Sequence, residues 1–191
     1  MGLFGFCDGA RDPGRAFANS QPPPRQAVWR EGEAVRLVKA AWRARYRGLA
    51  ACMATAWDSQ LSPVDARTLR MGQLHRDPVG VYFKVDRAKT GRRALATLSK
   101  RAERVLVTYL KQLPELMPDM HIFRNRSGAP YSTDTLGDDF RDIRALVFGP
   151  GEYRQLADFR RAATVQALAG GVPRRTKSCT APAKKLHGAV V

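Results

Sequence analysis

Cysteine, histidine and acid are scarce in this sequence, and each scarcity closes off a class of function. The cysteines, Cys7, Cys52 and Cys179, are three in number, far apart and without CxxC spacing. They build neither a disulfide framework nor a structural zinc site, so a reducing cytoplasm is the expected compartment. His75, His121 and His187 are equally scattered, and neither a metal site nor a cofactor is expected. Long apolar runs are missing too: nothing approaches the roughly 18 residues that a membrane span needs. The opening MGLFGFCDGA is too short an apolar stretch for a signal peptide, and Phe6 stands where a myristoylation motif wants Ser or Thr. A soluble intracellular protein with no membrane partner is expected.

Acid is outnumbered: 17 Asp+Glu face 33 Lys+Arg, a formal net charge of +16 over 191 residues. Such an excess suits a polyanion, because Lys and Arg release counterions from a phosphate backbone on binding. A solvated basic surface with no nucleic-acid role would have the same composition. Double-stranded DNA is the partner expected. A hydrophobic content of 44% supports one domain of ordinary size with a real core.

Periodicity divides the chain into a leader over 1–25, a domain over 26–171 and a basic tail over 172–191. The leader holds a PPP run and no sustained period. From Trp29 to Tyr46, Val35, Val38, Ala41 and Trp42 recur at helical spacing. GLAACMATAW is apolar nearly all round and reads as a buried helix. In SPVDARTL, Ser62 as N-cap, Pro63 at the first helical position and Asp65 at the third form a helix start. Val81, Phe83 and Val85 alternate with Tyr82 and Lys84, Lys89-Thr90-Gly91 turns, and Ala94 to Leu98 returns: a two-stranded hairpin. Ser99 caps a helix running to Leu113, HIF reads as a short strand, RSGAPYS as a turn, and Ser132 or Thr133 begins a further helix through Phe140, Ile143 and Val147.

YRQLADFRRAATVQALAGG, 153–171, reads as one helix with Leu156, Phe159, Ala163, Val165 and Leu168 on its apolar side and a Gly-Gly stop. Arg160 falls at the edge of that buried face, and Arg161 is turned about 100° away toward solvent. The tail VPRRTKSCTAPAKKLHGAVV has five Lys or Arg, no acid and no period, which suits disorder. The fold class expected is mainly α with a small antiparallel β-hairpin or sheet.

Two basic spots stand out. Arg87, Lys89, Arg92 and Arg93 gather at the hairpin tip, a concentration suited to a phosphate backbone. Arg160 offers either a snorkelling stem or a fixed guanidinium fork for a phosphate.

With these pieces in order, the run from about Val28 to Gly171 resembles the catalytic domain of the tyrosine recombinases, or phage integrases. AWDSQLSPVDARTL looks like the first arginine box with its next helix. FKVDRAKTGRRALATLS looks like the lysine hairpin, and LADFRRAATVQALAGG like a second box of HxLR(H/R)T type. The resemblance implies DNA integration and site-specific recombination, in which a tyrosine attacks a phosphodiester while two arginines hold the phosphate. It implies that Arg160 is the second-box arginine and Lys89 the hairpin general acid, with Arg87, Arg92, Arg93 and Arg161 as further DNA-binding cations. Gln60 stands in the register of the first-box arginine and Ala157 in that of the second-box histidine. Arg67 and Arg70 lie on the next helix and are left outside the assignment.

The resemblance also implies a third box and a tyrosine downstream, whereas Tyr153, the last tyrosine, precedes Arg160. The expectation is therefore an incomplete, C-terminally truncated integrase-like domain of mobile-element origin. Such a domain would bind DNA without cutting it, and would self-associate or aggregate through surface left exposed. Two alternatives stay open: an active recombinase completed in trans, and a non-enzymatic basic nucleic-acid-binding protein.

Overall fold

In the computed structural model, residues 27–86, 91, 93–160 and 162 are described. The leader, the tail, Arg87, Lys89, Arg92 and Arg161 lie outside them, as do Ala163, Val165 and Leu168.

Five helices and one sheet precede a 3₁₀ turn and the start of a further helix at Phe159. The helices are α1 (Glu31–Arg43), α2 (Arg47–Ser59), α3 (Pro63–Arg67), α4 (Lys100–Leu110) and α5 (Thr133–Phe148). The strands are β1 (Leu74–Arg76), β2 (Val81–Asp86) and β3 (Arg93–Thr97). Short side chains fix several helix starts. Ser62 Oγ accepts from the Asp65 amide at 3.1 Å, Ser99 Oγ from Ala102 at 3.3 Å, and Ser132 Oγ from Thr135 at 3.1 Å.

The core is built round α2, which packs against α1 and α4. Leu49, Ala50, Ala51, Cys52, Met53 and Ala56 of α2 are buried, as the all-round apolar pattern predicts. Its first turn meets the backbone of the 121–131 segment so closely that a Cβ on Gly48 would overlap the Arg124 carbonyl. Only glycine permits that approach. Burial pushes the Cys52 thiol up to about 12, so it behaves as a small hydrophobe.

The sheet has three strands, not the two expected. β1 pairs antiparallel with β2 (Leu74 opposite Phe83), and β2 with β3 (Phe83 opposite Ala96, Asp86 opposite Arg93). Val81, Phe83, Val85 and Ala96 face the core. Gly91, at φ 61°, takes the left-handed conformation that a turn residue here requires. HIF is not a strand: His121 forms only an isolated bridge with Arg70, the next residue Arg124 another with Pro130, and Ile122 and Phe123 are buried. Among the described residues no helix is long and apolar enough to cross a membrane.

The expectation of a single helix from 153 is corrected. Glu152–Gln155 run without helical structure, Leu156–Asp158 form a 3₁₀ turn, and helix begins at Phe159. The reason is a long-range clamp. Arg154 bonds Glu33 through Nη1 at 2.8 Å and Nη2 at 2.9 Å, and bonds Glu152 at 2.7 Å. It also bonds the Val28 carbonyl at 3.1 Å and lies 3.9 Å over the Trp29 ring. A charged fork held by two carboxylates and an indole face outweighs the local helical preference of this stretch.

Arg154 holds the Glu152 carboxyl down to about 2, and holds Glu33 below its ordinary value as well. Carboxylates depressed in the folded state stabilise it above their unfolded pKa and lose that contribution as pH falls through the folded value. The clamp therefore weakens from about pH 4.5 down toward about 2. Arg154→Gln should lower stability at pH 7 by about 1.5–3 kcal/mol, the scale of a hydrogen bond to a charged group. Urea unfolding across this pH range should show the deficit shrinking on acidification; a pH-independent deficit would contradict the clamp.

Candidate nucleic-acid interface

Phe159 sets the position of Arg160. Its ring lies 5.2 Å from Trp57, 5.9 Å from Trp29 and 6.2 Å from Phe140, edge-to-face each time. Trp57 sits three residues before Gln60, so the aromatic contact brings the end of α2 to the start of the helix that carries Arg160. Phe159 and Ala162 are buried, and Arg160 is exposed. The expectation that Arg160 borders the buried face is corrected: positions 159 and 162 point inward, and position 160 is turned about 100° from its neighbour, toward solvent. Arg160 does make an interaction there, so its exposure is not isolation.

Of the hairpin cations, Arg93 opens β3 with 96% of its side chain exposed and its Nε 3.9 Å from Asp86. An exposed pair at that distance contributes little, and Arg93 keeps its charge available to solvent partners. Arg87, Lys89, Arg92 and Arg161 fall outside the described residues, so the structure neither unites nor separates them from Arg160.

Gln60, in the first-box register, caps α2 with φ 55° and is exposed. It does not line a nearby cleft of about 660 Å³. That cleft opens between α3 (Pro63, Val64, Arg67), α5 (Leu136, Phe140, Arg141, Arg144) and the turn through Gln155, Leu156 and Ala157. Ala157, in the second-box histidine register, therefore does face it. Arg67 bonds the Tyr131 carbonyl at 3.2 Å, and Arg144 bonds the Arg154 carbonyl. Neither has a carboxylate partner among the described residues, and the Nε of each is buried without an acceptor. Arg141 is paired with Asp138 at 2.9 Å, and Asp134 and Asp138 both line the cleft.

The motif register leaves Arg67 outside the assignment and does not reach Arg144. The available signal was a lone arginine after SPVDA and another one helical turn from Phe140, each without an acid at ion-pairing spacing on the inner face. Burial first, and then Arg70, Arg67 and Arg124, hold His121 below its ordinary value.

None of the five tyrosines lines this cleft. Tyr109 donates to the Ile122 carbonyl at 3.1 Å and Tyr131 to Asp139 at 2.8 Å, and burial raises both phenols above their ordinary value. Tyr46 is raised chiefly by burial too, Tyr82 stacks on His75 at 5.6 Å, and Tyr153 is exposed. Among the described residues no cluster of His, Cys, Asp and Glu could hold a metal ion.

No family model and no curated protein matches the sequence. Solved structures do match. XerA recombinase superposes with a TM-score of 0.64 at 17% identity, over 80% of this chain and 54% of that one. A lambda integrase dimer bound to a COC′ core site gives 0.62 at 15% identity, over 83% and 45%. The lambda integrase catalytic core gives 0.59 at 15% identity, over 76% and 85%. The chain thus spans about half the length of the first two and most of the core alone. Its fold is that of the tyrosine-recombinase catalytic domain, mainly α with a small antiparallel sheet, as the motif order implies.

The left-handed Gln60 gives a test of the site's frame. An L-residue held there costs about 1–2 kcal/mol, part of which glycine recovers. Gln60→Gly should raise stability by up to about 1 kcal/mol. A clear loss in the midpoint of thermal or urea unfolding would show that the Gln60 side chain supports the fold.

Proposed function

We propose that this chain is a DNA-binding domain of the tyrosine-recombinase type, serving DNA integration or site-specific recombination, and that it does not cleave DNA by itself. The observation that carries the reading is the arginine-lined cleft beside the Arg160 helix, on a fold shared with an integrase bound to its core site. The charge of +16 adds the non-specific attraction that phosphate backbones exert on such surfaces. Arg160 and Lys89 are assigned as phosphate contacts, with Arg87, Arg92, Arg93 and Arg161 as flanking backbone contacts.

The second half of the proposal rests on the residues present. A phosphodiester cut by this chemistry needs a phenol at the phosphate. Here Tyr46, Tyr109 and Tyr131 are held in the core with raised pKa values, and Tyr82 and Tyr153 do not line the cleft. Gln60 also brings no charge where the resemblance implies an arginine.

Duplex DNA should bind with little sequence preference. Log affinity should fall steeply with log salt, each phosphate contact contributing a slope near about −0.9. Affinity that stays flat from low to moderate salt would contradict the reading. Supercoiled plasmid should emerge unrelaxed and free of covalent protein, with the wild type and with Gln60→Arg alike. Relaxed or protein-linked product from either would overturn the claim that this chain does not cleave.

A further inference from the structure

The two uncompensated arginines of the cleft lead beyond the residues that motif order implicates. We propose that Arg67 of α3 and Arg144 of α5 together hold a phosphodiester of the bound nucleic acid, in an anion site that takes no arginine from the first-box register. The inference rests on the DNA-binding reading above and specifies where one phosphate sits.

Three observations meet at this place. Both guanidiniums are only partly exposed, and each is anchored by a single bond to a backbone carbonyl, Tyr131 for Arg67 and Arg154 for Arg144. Neither meets a carboxylate among the described residues, whereas Arg154 and Arg141 do. A partly buried cation without a counter-charge is costly, and an anion entering between two of them offsets the cost for both. Their anchoring bonds also fix the forks before a ligand arrives. An arginine fork orients a phosphate oxygen pair in a way that a lysine point charge cannot.

The surroundings suit a strand rather than a small free anion. The cleft, at about 660 Å³, is far larger than one phosphate, and Pro63, Val64 and Phe140 give it apolar walls against which sugar can lie. Asp134 and the paired Asp138, which also line the cleft, disfavour a freely diffusing anion. A continuous backbone, held on both sides by other cations, tolerates them. Ala157 lines the cleft next to the segment that carries Arg160.

The test uses the full chain and a short fluorescent DNA duplex at fixed moderate salt, with Arg67→Lys, Arg144→Lys and Ala157→Glu. The two lysine variants keep the charge and remove the fork. Ala157 is exposed, so glutamate there should leave folding intact while placing a carboxylate in the cleft. Arg104→Lys, in the separate groove between α1 and α4, is the control. The proposal expects each cleft variant to lose about fivefold to tenfold in affinity, with melting temperatures near wild type and Arg104→Lys unchanged. If one lysine variant fails to fold, the other and Ala157→Glu decide.

Cleft variants that bind as wild type does would overturn this site and leave the DNA-binding reading standing. A wild type that binds no DNA would overturn both. Inorganic phosphate that raises the melting temperature of the wild type but not of Arg67→Lys, with equal DNA affinities, would mark a free-anion site and overturn the nucleic-acid assignment.

Discussion

Phe159 is the residue through which the parts of this molecule communicate. Its ring meets Trp29 ahead of α1, Trp57 near the end of α2 and Phe140 in the middle of α5, each edge-to-face. Edge-to-face aromatic packing is directional as well as apolar, so three such partners fix orientation and not only depth. The residue next to it, Arg160, is therefore delivered to the surface at one place and angle. The Arg154 clamp performs the same service on the other side of the turn, tying it to Glu33 and Trp29. Between the two anchors, Leu156–Asp158 has little freedom, and Ala157 is pinned at the cleft.

Charge is distributed by the same logic. Arginines that meet carboxylates, such as Arg154, serve the fold. Arg67 and Arg144 hydrogen-bond only to carbonyl oxygens, Arg144 lying over the Phe140 ring as well, and neither pairs with a carboxylate among the described residues. A surface with an excess of +16 contains many cations that attract polyanions diffusely. Arg124 is held in the same way by the Gly128 carbonyl, but only Arg67 and Arg144 line this cleft, where part of the ordering entropy of a long side chain is spent in folding and not on binding.

Much of the fold was legible from local rules. Ser62 with Pro63, Ser99 and Ser132 marked helix starts because a short hydroxyl and its following amide sit within one turn of each other. Val81, Phe83 and Val85 marked a strand because one face of it is buried. What sequence reading missed was non-local. β1 is three residues long and exists because Phe83 and Tyr82 stand opposite it. The stretch Glu152–Gln155 is not helical because Arg154 reaches a glutamate 121 positions earlier in the chain. A helix from 153 would set Arg160 at a buried edge; a helix starting at 159 buries Phe159 and Ala162 instead. The order of the motifs was enough to imply the recombinase fold, yet the Arg67–Arg144 cleft combines residues 67, 144 and 157, which no spacing rule connects.

The central claim is that a nucleic-acid phosphate is received at the cleft beside the Arg160 helix. The most direct measurement is the side-chain Nε–Hε NMR spectrum of the ¹⁵N-arginine-labelled chain, recorded as a DNA duplex is titrated in at moderate salt. The account predicts that the Arg67, Arg144 and Arg160 signals shift together and saturate at one equivalent of site, while Arg104 and the clamped Arg154 stay in place. Uniform small shifts spread over all arginines, with no preference for these three, would contradict it.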